Sequence, residues 1–350
     1  MSLTWTARTA AEQNSWVGIA WSPSLSLFAA VSYDGANRVM TSPDGVTWTA
    51  RSASSAETWV GICWSPELAI FVAVGYGGSN KVMTSPDGIT WTGRTAPTGD
   101  WLGVAWSPDL TLFVAMGFGS PNRVMTSSDG ITWTAGAASF TSGFTKVTWA
   151  SALGLFVAVG GSAAGNLVVT SPDGITWTGR DATPASLSLT NIAWSPELAL
   201  LVAVKSSLGA PQVVTSTTAL SWTGQSAAGA DSWAAVAWSA GLTLFVAVGG
   251  FFGLVMSSPD GATWSLETTP VANQWGDIAW SPELSTFAAI SVNGTDRVMT
   301  GAVVDPGTIQ TITATAAIVG GTPPTACLPI IVNKTPPFEM LQEPCERKGT

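Results

Sequence analysis

The chain contains no histidine among its 350 residues. That absence removes imidazole bases, Ser-His-Asp triads and histidine metal ligands together. Charge is scarce as well: Lys, Arg, Asp and Glu make up 10% of the sequence, against about 25% in an ordinary globular domain. The 13 basic residues are spread thinly through a chain of net charge −9, with Arg347 and Lys348 their one adjacent pair. Phosphate binding requires clustered Lys and Arg, so neither nucleic acid nor an anionic membrane surface is expected as a partner. Cys63, Cys327 and Cys345 are the three cysteines, and their spacing fits no zinc or redox motif. No metal and no cofactor is expected. No run approaches the ~18 uninterrupted apolar residues of a membrane span, so no membrane insertion is expected. The opening MSLTWTART has neither the basic nor the apolar region of a secretory signal, which implies synthesis and folding in a cytoplasm.

What the chain has in excess is tryptophan, 19 of them, and they fall into register. One series sits in IAWSP-like stretches: Trp21, Trp64, Trp106, Trp149, Trp194, Trp238 and Trp280. A second sits in TWT-like stretches: Trp5, Trp48, Trp91, Trp133, Trp177, Trp222 and Trp264. Both series advance by 42 to 45 residues, and the remaining five tryptophans each lie five residues before a member of the first. Each repeat reads as four short strands, in the second repeat TWVGICWSP (58–66), AIFVAVGY (69–76), KVMTS (81–85) and ITWTGR (89–94). The segments are β-branched and aromatic and are separated by Pro, Gly and Asp turn residues.

A four-strand unit of this period is the signature of a β-propeller blade. The expected fold is all-β: a seven-bladed propeller over residues 1–301, with residues 302–350 as an extended or β-strand C-terminal arm. The seventh repeat stops before its TWT strand, and the chain begins with LTWTAR. Residues 3–8 are therefore expected to complete blade seven and close the ring, which removes open sheet edges.

Between the third and fourth strands stands TSPDGITWTGR, identical at 84–94 and 170–180, with near-copies at 41–51, 126–134 and 257–265. This unit resembles the Asp-box of the sialidase-like propeller superfamily (the BNR repeat), with one residue fewer between Asp and Gly. The resemblance implies a structural turn. Ser42, Asp44 and Trp48, Ser85, Asp87 and Trp91, Asp129 and Trp133, Asp173 and Trp177, and Asp260 and Trp264 are read as turn-building residues, the Ser and Asp side chains accepting hydrogen bonds from turn amides. Catalysis of the sialidase kind would need an arginine triad, a Tyr–Glu pair and an acidic Asp. The arginines here recur with the repeat, at Arg8, Arg51, Arg94 and Arg180 or at Arg38, Arg123 and Arg297, which reads as outer-strand surface. No catalytic residue is assigned, and the chain is expected not to be an enzyme.

Strand order separates two faces. The first-to-second turns (SPSL, SPEL, SPDL) and the SPDG turns share a face that hardly changes between repeats, whereas the second-to-third loops and blade connections vary. The varied face is the expected binding surface. Tyr33, Tyr76 and Phe118 hold equivalent places there in three consecutive blades, with Phe251 and Phe252 in the sixth. They read either as platforms for a glycan or partner protein or as plugs in the seams between blades. The carboxylates of this face, Asp34, Glu57, Asp100, Asp231 and Asp296, read as solvated loop residues.

Beyond residue 301 the repeat ends. Ile309, Ile312, Leu328, Ile330, Ile331 and Phe338 are expected to dock the arm on other virion or assembly proteins, with strand addition as one route; the alternative is a frayed end or a strap. Cys327 and Cys345 could form a disulfide with each other or with a neighbour, though a reducing cytoplasm opposes this before assembly. The repeats, the absent export signal and the dissimilar tail resemble phage virion proteins of the tail, fibre or capsid-decoration kind. That resemblance implies a structural or adhesion propeller located in the virion, with a host-surface glycan as candidate ligand. The alternatives are a soluble glycan-binding lectin and, behind it, a sialidase-like glycoside hydrolase.

Overall fold

The computed structural model of the chain describes residues 3–78, 80–119, 122–136, 142–161, 168–180 and 188–303. The described strands form seven four-stranded antiparallel sheets. In six of them the strands are hydrogen-bonded in chain order, as in Trp16–Ser22, Leu27–Ser32, Val39–Ser42 and Thr49–Arg51 of blade one. The seventh takes its outer strand from the other end of the sequence. Leu3–Arg8 pairs with Val298–Val303 over six residues, from Leu3↔Val303 to Arg8↔Val298. The all-β seven-bladed propeller closed by its N-terminal strand is thus the observed fold.

Why the middle strands read as unbroken apolar runs follows from this packing. LFAAVS (27–32) and its equivalents are buried on both faces, because a sheet lies on either side of each blade. The core is divided into seven clusters; one holds Ala29 and Val31 of blade one against Trp59, Trp64 and Phe71 of blade two. Trp16, Trp59, Trp101 and Trp233 are wholly buried and Trp275 is 1% exposed. Truncating any one to Ala costs about 3–5 kcal/mol.

The outer strands are shorter than the sequence implies. In blade two the fourth strand is Thr92–Arg94, and residues 89–91 belong to the turn. The cause is Asp87, whose Oδ1 accepts the N–H groups of Ile89 and Thr90 at 2.8 Å each, so these amides are taken from the ladder. Blade seven has no such turn before its last strand, and there Trp5 lies within the strand.

Every innermost strand carries an irregularity two residues in, as between Trp16 and Gly18. Such a bulge bends the strand locally. At Gly18 an added Cβ would lie 2.3 Å from Val60 O, and at Gly61 2.5 Å from Leu102 O. Only glycine permits that approach between neighbouring blades.

Candidate functional site

Leu3 and Val303, the ends of the described propeller, lie on the constant-turn face. That face carries Asp44, Asp87, Asp129, Asp173 and Asp260 in the third-to-fourth turns and Glu67, Asp109, Glu197 and Glu283 in the first-to-second turns, with no Lys or Arg among the described residues. In each SPDG-type turn one pattern repeats. Ser42 Oγ donates to Asp44 Oδ1 (2.9 Å), which accepts from Val46 N and Thr47 N at 2.8 and 2.7 Å. Gly45 N donates to Ser42 Oγ, and the Trp48 indole donates to Gly45 O at 3.0 Å. Ser85, Asp87 and Trp91 repeat the arrangement, as do the turns of Asp129 and Trp133, Asp173 and Trp177, and Asp260 and Trp264. Burial, the largest single influence on these five Asp carboxyls, pushes them upward, but the amide and hydroxyl hydrogen bonds together outweigh it. All five are left below their usual 3.8.

On the loop face Tyr33, Tyr76 and Phe118 form a continuous arc. Ring centroids are 6.5 Å apart from Tyr33 to Tyr76 and 6.2 Å from Tyr76 to Phe118, with interplanar angles of 58° and 57°. Tyr33 is 39% and Phe118 42% exposed, so these rings lie open at the rim. Gly75 helps place the arc: a Cβ there would sit 2.2 Å from Thr58 O, and without one Thr58 pairs with Tyr76. Burial, and then Tyr76 beside it, push the Tyr33 phenol above its ordinary value of 10, so it stays protonated. Phe251 and Phe252 make a separate edge-to-face pair in blade six, centroids 4.7 Å apart.

The carboxylates of this face are not all solvated. Asp231 is fully buried and Glu57 is 7% exposed. Asp231 accepts the N–H groups of Phe251 (3.1 Å), Phe252 (2.9 Å) and Leu254 (2.9 Å), and so holds the aromatic loop from beneath. Glu57 accepts from Asn80 N. Unpaired loop amides need acceptors, and these short side chains supply them. Asp34 similarly accepts from Ser15 N and Oγ, and Asp100 pairs with Lys81 at 2.8 Å. The arginines Arg8, Arg51, Arg94 and Arg180 each donate Nε to a threonine hydroxyl of the adjacent third strand.

Three residues that the sequence reading passed over meet at the axis. After the bulge, the seven innermost strands read Gly18, Gly61, Gly103, Lys146, Asn191, Ala235 and Asp277 in one column. Lys146 Nζ reaches from blade four to Asp277 Oδ2 of blade seven at 3.0 Å. Asn191 Nδ2 of blade five approaches Asp277 Oδ1 at 3.5 Å, and Ile19 N and Ile278 N also donate to this carboxylate. The bridge divides the axial channel into two vestibules: about 420 Å³ toward the constant-turn face and about 350 Å³ toward the loop face. Cys63 lines the former; burial pushes its thiol well up, against the opposing pull of Lys146. Aligning the seven strands as a column would have exposed the three polar residues.

Among the described residues no group of three Cys, Asp or Glu side chains is placed to hold a metal ion. Ile309, Ile312, Leu328, Ile330, Ile331, Phe338, Cys327 and Cys345 lie outside the described residues.

No family model and no curated protein matches the chain. Solved structures do. Streptogramin B lyase aligns at a TM-score of 0.73 with 10% identity, covering 86% of this chain and 98% of that one. Virginiamycin B lyase from Staphylococcus aureus gives 0.73, 12% identity, and coverage of 87% and 99%. YCF48 bound to D1 peptide gives 0.62, 16% identity, and coverage of 87% and 97%. At such identities the likeness is one of fold, and it defines the class as a β-propeller. It also corrects one expectation. Regular repeats and the lack of a sialidase arginine triad lead to the expectation that the chain is not an enzyme, yet the lyases perform catalysis on the same fold. Fold and repeat regularity do not decide the matter.

Proposed function

We propose that the chain is an adhesion propeller of a phage virion (tail, fibre or capsid decoration) that recognises a glycan with its loop face. The observation that carries this reading is the arc of Tyr33, Tyr76 and Phe118 across three blades at the rim. Aromatic rings offer rigid apolar surface to the C–H faces of sugar rings, and tyrosine adds a hydroxyl. Loop aromatics held by a rigid scaffold are a common basis of recognition. The arc lies on the face opposite to Leu3 and Val303, the ends of the described propeller. The virion setting rests on the resemblance of the SPDGxTWT repeats to Asp-box and phage virion propellers. The reaction of the streptogramin lyases is not carried over. A histidine-to-alanine variant of virginiamycin B lyase is described as catalytically inactive, and this chain has no histidine. YCF48, described with a bound peptide, favours a peptide as the second candidate for the same face.

The test is a glycan array probed with the full chain and with Tyr76→Ala and Phe118→Ala. A tenfold or greater loss in both variants, with Arg51→Ala binding as the parent does, is the expected result. An array without a hit, or hits indifferent to both variants, would count against the reading.

A further inference from the structure

The loop-face vestibule adjoins the arc directly, because Tyr33 lines it. Its wall takes at least one residue from each of the seven innermost strands, and its floor is the Lys146–Asn191–Asp277 bridge. Its volume of about 350 Å³ falls near the lower end of ligand pockets, roughly 300–1,000 Å³. That is room for one ring and not for an oligosaccharide.

The floor has a definite chemistry. Asp277 is 4% exposed and its oxygens are engaged by Lys146 Nζ, Ile19 N, Ile278 N and Asn191 Nδ2. It is held in place and has little left to offer a ligand. Lys146 carries three donors, one of them spent on Asp277, and its side chain is 26% exposed. Lys146 lines both vestibules, so its spare N–H groups are open to the channel on either side of the bridge, the loop-face vestibule included. Because the ammonium lies 3.0 Å from a carboxylate, the floor donates hydrogen bonds without carrying net charge. An anionic ligand would meet Asp277, a cationic one Lys146, and a neutral group rich in hydroxyl oxygens meets neither penalty. Stability alone gives little reason for the bridge. A buried ion pair is often matched by apolar residues of similar volume, and in four blades this position is Gly or Ala.

We infer that the loop-face vestibule is the subsite for the terminal residue of a glycan, a neutral pyranose. Lys146 Nζ donates to its hydroxyl oxygens, and the following sugars run out over Tyr33 toward Tyr76 and Phe118. The inference rests on the glycan reading of the loop face.

The full chain is titrated by saturation-transfer NMR with the methyl glycosides of glucose, galactose, mannose and N-acetylglucosamine, and with glucuronate and glucosamine as charged comparators. Binding of at least one neutral glycoside is expected, with the charged comparators tenfold weaker. Lys146→Met and Ala234→Phe should each weaken it at least tenfold. The second variant fills the vestibule from blade six and leaves the bridge intact, so an unchanged melting temperature there separates a blocked site from a damaged fold. If longer glycans bind and require Tyr76 while no monosaccharide does, or if Ala234→Phe binds normally, the bridge is a brace and the subsite is wrong. In that case the glycan reading still stands. If no glycan of any length binds, both fall together.

Discussion

At the residue scale, the aspartates of the SPDG turns make pH a direct probe of the local design. Asp44, Asp87, Asp129, Asp173 and Asp260 hold their protons less tightly in the fold than the usual 3.8. A carboxyl depressed in this way contributes stability above its unfolded pKa and loses it as pH falls through the folded value. The loss is expected below about pH 4, and it is shared among five turns. Thermal melts from pH 5 to pH 2 should show the parent chain falling more steeply than a variant with Asn at all five positions. Asparagine keeps an acceptor oxygen but does not titrate. Equal slopes would mean that these carboxylates are uncoupled from unfolding.

At the scale of elements, one indole hydrogen bond recurs between neighbouring blades and is missing in identifiable places. The indole N–H of Trp21, Trp106, Trp149 and Trp238 donates to Glu283, Glu67, Asp109 and Glu197, in the first-to-second turn of the preceding blade, at 2.5–2.8 Å. In the other three seams that turn offers Ser24, Ala152 or Gly241, and the buried indole nitrogens of Trp64, Trp194 and Trp280 have no hydrogen-bond partner among the described residues. A buried donor without an acceptor is costly. Gly241→Glu should supply one, since a Cβ at Gly241 meets Trp280 only at an ordinary 3.6 Å. The expected gain is about 1 kcal/mol, or about 2 °C in melting temperature, and Glu67→Ala should lose a similar amount. A melting curve unchanged in both variants would remove these bonds from any account of the seams.

At the scale of the molecule, stability depends on closing the ring. Six residue pairs join Leu3–Arg8 to Val298–Val303, and Trp5 packs in the last core cluster beside Phe287. Deleting residues 1–8 would expose a bare edge strand, which invites edge-to-edge association. The shortened chain is expected to melt more than 10 °C below the parent (several kcal/mol at about 2–4 °C each) and to aggregate, and adding the peptide LTWTAR should recover part of the loss. A shortened chain that melts with the parent would show that closure adds nothing. The polarity of the ring belongs to this scale too. Constant turns with nine carboxylates form one face, and varied loops with aromatics form the other. Recognition is therefore proposed for a single side.

The sequence by itself determined the blade count, the four-strand order, the closing role of residues 3–8 and the two faces. The reason is locality. Each SPDG turn is built from hydrogen bonds spanning two or three residues, and each strand reports its burial in its own composition, so repetition makes the pattern readable seven times. The fourth strands begin later than their composition implies where Asp87 and its equivalents draw two amides out of the ladder, and in blade five where Thr218 takes the amide of Leu220. The functional side chains are a different case. That Tyr33 touches Tyr76, that Asp231 lies buried under Phe251 and Phe252, and that Lys146 crosses to Asp277 are consequences of tertiary structure. Lys146 and Asp277 are 131 residues apart, and Asn191 and Asp277 are 86 apart. No short-range pattern in the chain records such pairs. They meet because seven inner strands, once closed into a ring, place one residue each around a common axis.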